Sequence, residues 1–365
     1  MQRPFRILFT TIALGLALSA CAELDYYRQA AAGQRELLRA RRPVADVLAD
    51  PATAPDLRRR LETARALRAF ASAELALPDN GSYQAYADLG RLYAVKNVFA
   101  APELSLEPRR WCYLAVGCLS YRGYFDALAA RRLADELRAA GDDVYVADVP
   151  AYSTLGWFDD PLLNTFIGWP AARLAELMFH ELAHQRLYVA DDTAFNEAFA
   201  TAVGRLGAER WLKQRGTARE LEEFEADYRR REDFLRSVAA ARERLAMAYA
   251  SPLDDAGKRA EKQRILAALR DRHRQLKQSD WGGYTGYDRW FAEDLNNAKL
   301  AGNNTYYRWV PAFLALYERE KQDFAAFYRA AEIIGQLPPP EREARLRELS
   351  APVSVAANQN ATRDE

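Results

Sequence analysis

The chain has 365 residues, 50% of them hydrophobic and 12% aromatic, enough for a sizeable core and, at roughly 150 residues per domain, for about two domains. That composition excludes a disordered or collagen-like chain. Lys and Arg number 51 against 51 Asp and Glu, so no global field draws in a phosphate backbone, which argues against nucleic acid as the main partner.

Arg3 and Arg6 precede an apolar run from Ile7 to Leu18, the pattern of an export signal over residues 1–20. A helix that spans a bilayer takes about 20 apolar residues, so this run is too short for a stable transmembrane anchor. Residues 21–78 read as an N-terminal helical region, with Leu37-Leu38 and Leu61, Ala64, Leu67 and Phe70 at three- and four-residue spacing and a break from Pro51 to Pro55. Residues 79–215 change character. Strand formers cluster at Leu92 to Val95, Val98-Phe99, Trp111 to Leu114, Leu119 to Tyr124 and Val144 to Val149, and an amphipathic helix from Phe125 to Ala140 is ended by Gly141. Pro170 then starts a helix over Ala171 to Tyr188, and a second follows from Thr193 to Gln214. Residues 216–280 are densely charged and read as an exposed helical hairpin broken at Ser251-Pro252. A Gly- and aromatic-rich patch, Trp281 to Tyr287, opens a C-terminal helical region over 281–350, and 351–365 reads as a disordered tail. The expected fold is α+β, mostly helical, with a small mixed β-sheet packed beside the helices.

Only three histidines and three cysteines occur, so their positions are informative. Leu18-Ser19-Ala20-Cys21, at the end of the export signal, resembles the lipobox of bacterial lipoproteins. The resemblance implies that Cys21 is diacylated and becomes the first mature residue, and that Ala22, not being Asp, does not retain the chain at the inner membrane. Two or three acyl chains hold a protein stably at a bilayer surface. The expected location is therefore the bacterial cell envelope, lipid-anchored to the outer membrane and facing the periplasm. The plainer alternative is an ordinary cleaved signal with an incidental cysteine. Removing the first 20 residues takes away Arg3 and Arg6 and leaves 49 basic against 51 acidic side chains. Cys112 and Cys118 either close a small disulfide loop, as an oxidising compartment favours, or stand as two free thiols.

His180-Glu181-Leu182-Ala183-His184 lies inside the helix that follows Pro170. Positions four apart share a helix face, so His180 and His184 can hold one cation between them. Glu181 is about 100° around the helix from His180, placed to take a proton from a metal-activated water and pass it to a leaving amine. Zinc in a catalytic site needs a third protein ligand and keeps a fourth position for water. The remaining histidine, His273, is remote in sequence. Glu197, within Phe195-Asn196-Glu197-Ala198-Phe199, stands on the next helix after a short connector, with Asp191 or Asp192 as the fallback ligand or as a partner for a histidine ring nitrogen. An Asn-Glu pair on the following helix resembles the third-ligand signature of gluzincin metallopeptidases, here at a shorter spacing.

With the lipobox, Ala101 to Pro108, Trp111-Cys112 through Cys118, Tyr121 to Phe125, Ala151 to Pro161 and the helix motifs, the chain resembles a family of bacterial aminopeptidases over about residues 20 to 335. The resemblance implies a zinc-dependent peptidase holding one Zn2+ on His180, His184 and Glu197, with Glu181 as base. Such chemistry also wants an oxyanion donor, for which Tyr306 or Tyr307 come first and Tyr152 or His273 second. An aminopeptidase further sets a carboxylate against the substrate's α-ammonium; Glu103, Glu107 and Asp159 all qualify. The expected activity is hydrolysis of peptide or protein substrates, aminopeptidase before endopeptidase. The contrasting reading is a non-enzymatic envelope lipoprotein with a structural zinc site and a partner on the charged hairpin.

Overall fold

The computed structural model describes residues 23–113, 117–151, 158–302 and 308–351. The export signal with Cys21, the side chains Tyr152, Tyr306 and Tyr307, and all but the first residue of the expected tail lie outside the described residues. Helix α1 covers residues 23–40 and leads into β1 (Arg41–Pro43), α2 (Val44–Ala49) and α3 (Pro55–Leu75). Pro55 opens α3, where the missing amide hydrogen has no helical acceptor to lose. Strands β2 (Ala85–Ala87), β3 (Val95–Pro102), β4 (Trp111–Tyr113), β5 (Gly117–Leu119) and β6 (Arg122–Tyr124) follow, then α4 (Ala127–Ala139), β7 (Asp142–Val149) and β8 (Leu162–Leu163). The remaining elements among the described residues are helices: α5 (Ala171–Arg186), α6 (Thr193–Arg215), α7 (Ala218–Ala250), α8 (Asp255–Ser279), α9 (Asp288–Ala292), α10 (Asn297–Ala301), α11 (Val310–Arg319), α12 (Phe324–Gly335) and α13 (Pro339–Ser350). The fold class is the mostly helical α+β arrangement expected from the sequence.

The strands form three small sheets. β2 pairs antiparallel with β1 and parallel with β8, which makes that sheet mixed, while β3 sits between β6 and β7 in an antiparallel sheet. The segment from Leu119 to Tyr124, expected as one strand, is two. β5 belongs to a hairpin with β4, in which Cys112 and Cys118 face each other and are joined by a disulfide, whereas β6 hydrogen-bonds to β3. Two different partners require the chain to turn between them.

The chain divides into two units, each with its own packing. The first comprises Met1–Ala66, Asn80–Leu174 and Ala218–Asn304 and contains every sheet. Here α4 covers the antiparallel sheet, with Ala130 and Ala134 against Val98, Ala100, Tyr124 and Val144. The charged segment is the helical pair α7 and α8, with Asp254 capping α8 through the Gly257 amide at 2.8 Å. The hairpin is less exposed than its charge implies. Phe234, Val238, Ala241 and Leu245 pack with Ile265, Leu266 and Leu269, and Trp281, Phe291 and Leu300 from the following segment complete the same cluster. Gly283, at φ 84°, turns the chain back onto the end of α8, with its amide on the Lys277 carbonyl at 2.8 Å.

A buried polar knot ties this hairpin to the sheet. Lys262, 4% exposed, donates to Asp143 at 2.6 Å and to the Glu103 carbonyl at 2.9 Å, while the Asn297 side-chain amide donates to the Pro102 and Glu103 carbonyls. Burial raises the Asp143 pKa in spite of the Lys262 hydrogen bond, a sign of how poorly solvated the carboxylate is. Lys262→Met removes the one side-chain cation paired with that carboxylate among the described residues and should cost about 3 kcal/mol in urea unfolding. Asp143→Asn added to it should restore part of the loss.

The second unit comprises Leu67–Asp79, Ala175–Thr217 and Thr305–Glu365. Its core is aromatic: Phe195 and Phe199 of α6 meet Phe313 of α11 edge-on at 5.1 and 5.6 Å, and Phe199 stacks on Phe327 of α12 at 5.7 Å. The buried Tyr328 hydroxyl donates to the Leu75 carbonyl at 2.8 Å, which satisfies it and fixes the end of α3.

Candidate functional site

Helix α5 buries Met178, Phe179, Leu182 and Ala183 and turns a different face, bearing His180 and His184, toward α6. Two devices set α6 alongside it. Asp192 caps α6 by accepting from the Phe195 amide at 3.0 Å, and its other carboxylate oxygen accepts from Arg342 at 2.5 Å. Asn196 closes an amide pair with Val189, accepting from its N–H and donating to its C=O, both at 2.7 Å. The connector is thus pinned at both ends, and Asp191 takes the left-handed turn conformation, φ 60°, that aspartate tolerates. Glu197, one residue past Asn196, faces the histidines.

The result is three donor atoms around one point. His180 Nε2 lies 3.2 Å from His184 Nε2, and Glu197 Oε2 lies 3.4 and 3.7 Å from the two nitrogens. Bonds of about 2.0–2.1 Å at tetrahedral angles set neighbouring ligand atoms about 3.3–3.4 Å apart; two edges of this triangle are close to that, and the His184–Glu197 edge is longer at 3.7 Å. Two neutral imidazoles and one carboxylate are also the donor set of open catalytic zinc sites. His180, His184 and Glu197 are the one such group among the described residues. Asp192 is engaged in capping, and neither it nor Asp191 joins the triangle.

The electrostatics favour a cation. Burial alone would raise the Glu197 pKa, but its hydrogen bonds with His180 and His184 bring it down to about 2, so the carboxylate is charged at any ordinary pH. At His180 burial acts to lower the pKa, and the Glu197 hydrogen bond together with the charges of Glu181, Glu197 and Glu176 outweighs it and raises the value. Glu181 is half-buried beside these ligands. His184 is 6% exposed, and its Nδ1 has no acceptor among the described residues.

Sequence reading missed what lets the two helices approach. A Cβ on Gly204 of α6 would lie 2.6 Å from the Glu176 carbonyl oxygen and 3.3 Å from His180 Cβ. Gly204 is seven residues, two turns, beyond Glu197 and so shares its face. Its only sequence signal is a glycine deep inside a long helix. Gly204→Ala should separate the helices at His180, lowering stability by about 1–3 kcal/mol and zinc affinity by about tenfold in a chelator competition. Gly207→Ala, whose nearest contacts would be the side chains of Leu75 and Phe179 and not the backbone of α5, should lower stability without that loss of affinity.

The other expected site residues do not belong to this group of three. Glu103, Glu107, Asp159 and His273 belong to the first unit. Glu103 accepts from Arg259 at 2.9 Å, Glu107 is exposed, and Asp159 lies over Gly81. His273 stacks on Phe291 with ring centroids 4.0 Å apart, and burial holds its pKa below the usual histidine range. Tyr152, Tyr306 and Tyr307 fall outside the described residues.

The model of a protein family described as "putative aminopeptidase" matches residues 25–346. The chain belongs to that family. The match takes in the helices α5 and α6 with all three converging side chains, together with both units of the fold. No curated protein and no solved structure matches the chain.

Proposed function

We propose that this member of the aminopeptidase family is a zinc metallopeptidase that removes residues from the N-terminus of peptides at the periplasmic face of the outer membrane. The observation that carries the reading is the triangle of His180 Nε2, His184 Nε2 and Glu197 Oε2, with Glu181 next to its first corner. His180, His184 and Glu197 would hold one Zn2+. When bound, such an ion polarises the scissile carbonyl and makes water a stronger nucleophile at neutral pH.

The chain's own groups do the rest. Glu181 accepts the proton of the attacking water and returns it to the amine nitrogen as the peptide bond breaks, one carboxylate serving as base and then as acid. Glu197, held as the anion, keeps both imidazole nitrogens turned to the same point. Tyr306 or Tyr307 is assigned the hydrogen bond to the developing oxyanion. The lipobox cysteine, Cys21, is assigned the anchor.

The test is product analysis on one peptide with a free and with an acetylated N-terminus, using the zinc-loaded chain. Stepwise loss of N-terminal residues from the free peptide alone supports aminopeptidase action. Internal cleavage of both peptides makes the protein an endopeptidase, and zinc retention with no cleavage of either leaves a structural metal site in a partner-binding lipoprotein.

A further inference from the structure

Helix α1 has an inner and an outer face of different chemistry. On the inner face Tyr26 stacks on Tyr113 at 5.5 Å and meets Tyr124 edge-on at 5.4 Å, Gln29 accepts from the Phe125 amide at 3.0 Å, and Leu37 is 2% exposed. Gly33 belongs to that face, since a Cβ there would overlap the Phe125 ring. The outer face carries Leu24, Arg28, Ala32, Arg35 and Arg39, all exposed. At 100° per residue these five fall within a stripe about 80° wide. Leu24 is 59% exposed, and Tyr27 beside the stripe is 47% exposed. On the flank Asp25 is exposed and Glu36 is paired with Arg91 at 2.8 Å, whereas Arg28, Arg35 and Arg39 form no ion pair among the described residues.

The position of this stripe decides what it meets. Cys21 precedes Glu23 by two residues, which reach at most about 7 Å. Glu23 is itself fixed, accepting from Arg122 at 2.9 Å, and Arg122 lies 4.0 Å over the Tyr26 ring. Ala22 alone therefore lies between Cys21 and the first described residue of α1, so an acylated Cys21 would bring the first turn of α1 to the headgroups. An apolar residue at the anchored end followed by three arginines along a helix of about 27 Å matches an anionic phospholipid surface, where basic side chains act within a Debye length of about 8 Å.

We propose that the outer face of α1 lies on anionic phospholipid headgroups and orients the anchored protein on the membrane. The proposal rests on the reading of Cys21 as the acylated residue. It is tested on the full mature protein reconstituted on vesicles of phosphatidylcholine alone or with about 30% phosphatidylglycerol. Arginine modification by phenylglyoxal is followed peptide by peptide in a mass spectrometer, which also reads the acyl chains on the N-terminal peptide. Modification of Arg28, Arg35 and Arg39 should slow by about threefold or more on the anionic vesicles and recover at about 0.5 M salt. Equal rates on both vesicles, with an acylated terminus, would overturn the docking surface and leave the anchor standing. Protection by anionic cell-wall glycan but not by vesicles also overturns it, in favour of a glycan contact. An N-terminus without acyl chains overturns anchor and docking surface together.

Discussion

Glu181→Gln is expected to lower peptide turnover by about a hundredfold or more while zinc remains near one ion per chain. The substitution keeps shape and volume and leaves His180, His184 and Glu197 in place, so the donor triangle at 3.2, 3.4 and 3.7 Å has no reason to change. What it removes is the capacity to accept a proton from water, which a carboxylate has and an amide lacks. General-base assistance contributes on the order of a hundred- to ten-thousandfold, and the loss should appear in kcat with little change in KM, because Glu181 is assigned to the reacting proton and not to substrate binding. Steady-state hydrolysis of a free peptide, with zinc measured on the same samples, checks this. Full activity in the variant would move the base to another residue.

Glu197→Ala should act at the metal itself. It deletes one of three donors and the sole carboxylate, leaving two imidazoles 3.2 Å apart. Even groups that merely orient a ligand cost 10- to 100-fold in affinity when removed, so losing this donor should weaken zinc binding by about a hundredfold or more and abolish hydrolysis at limiting zinc. Competition with a zinc chelator gives the affinity. The fold should survive, because Glu197 points into the site while Phe195, Ala198 and Phe199 on the same helix carry the packing. Unchanged affinity would mean that the third donor is a different residue, with Asp191 or Asp192 the alternative that the sequence offers.

Much of this site was legible before any coordinates. The four-residue spacing of His180 and His184 specifies a shared helix face, and the helix ends predicted at Pro170 and Thr193 agree with α5 and α6 to within two residues. Glu197 followed from its place on the next helix after a short connector, where its pairing with Asn196 resembles the third-ligand signature of gluzincin metallopeptidases. The supporting contacts were not legible. Asn196 reads as half of a motif, yet its amide pair with Val189 is a tertiary contact, and the approach that Gly204 permits depends on which residue of α5 lies opposite. The hairpin's burial was hidden for a related reason. Charge density describes its outer faces, while the partners of Phe234 and Leu276 come from Trp281, Phe291 and Leu300, in a segment with no clear periodicity. For the same reason His273 read as an available histidine although the structure encloses it in aromatic rings.

The central claim is that one zinc ion on His180, His184 and Glu197 makes this protein a peptidase. Its most direct test is a titration: the chain is stripped with a chelator, zinc is returned in fractions of an equivalent, and hydrolysis of a free peptide is followed at each step. Activity that is absent in the stripped protein, rises in proportion to zinc and levels off at one equivalent is the predicted result. Hydrolysis that survives stripping, or a full equivalent of bound zinc with no hydrolysis, would contradict the account.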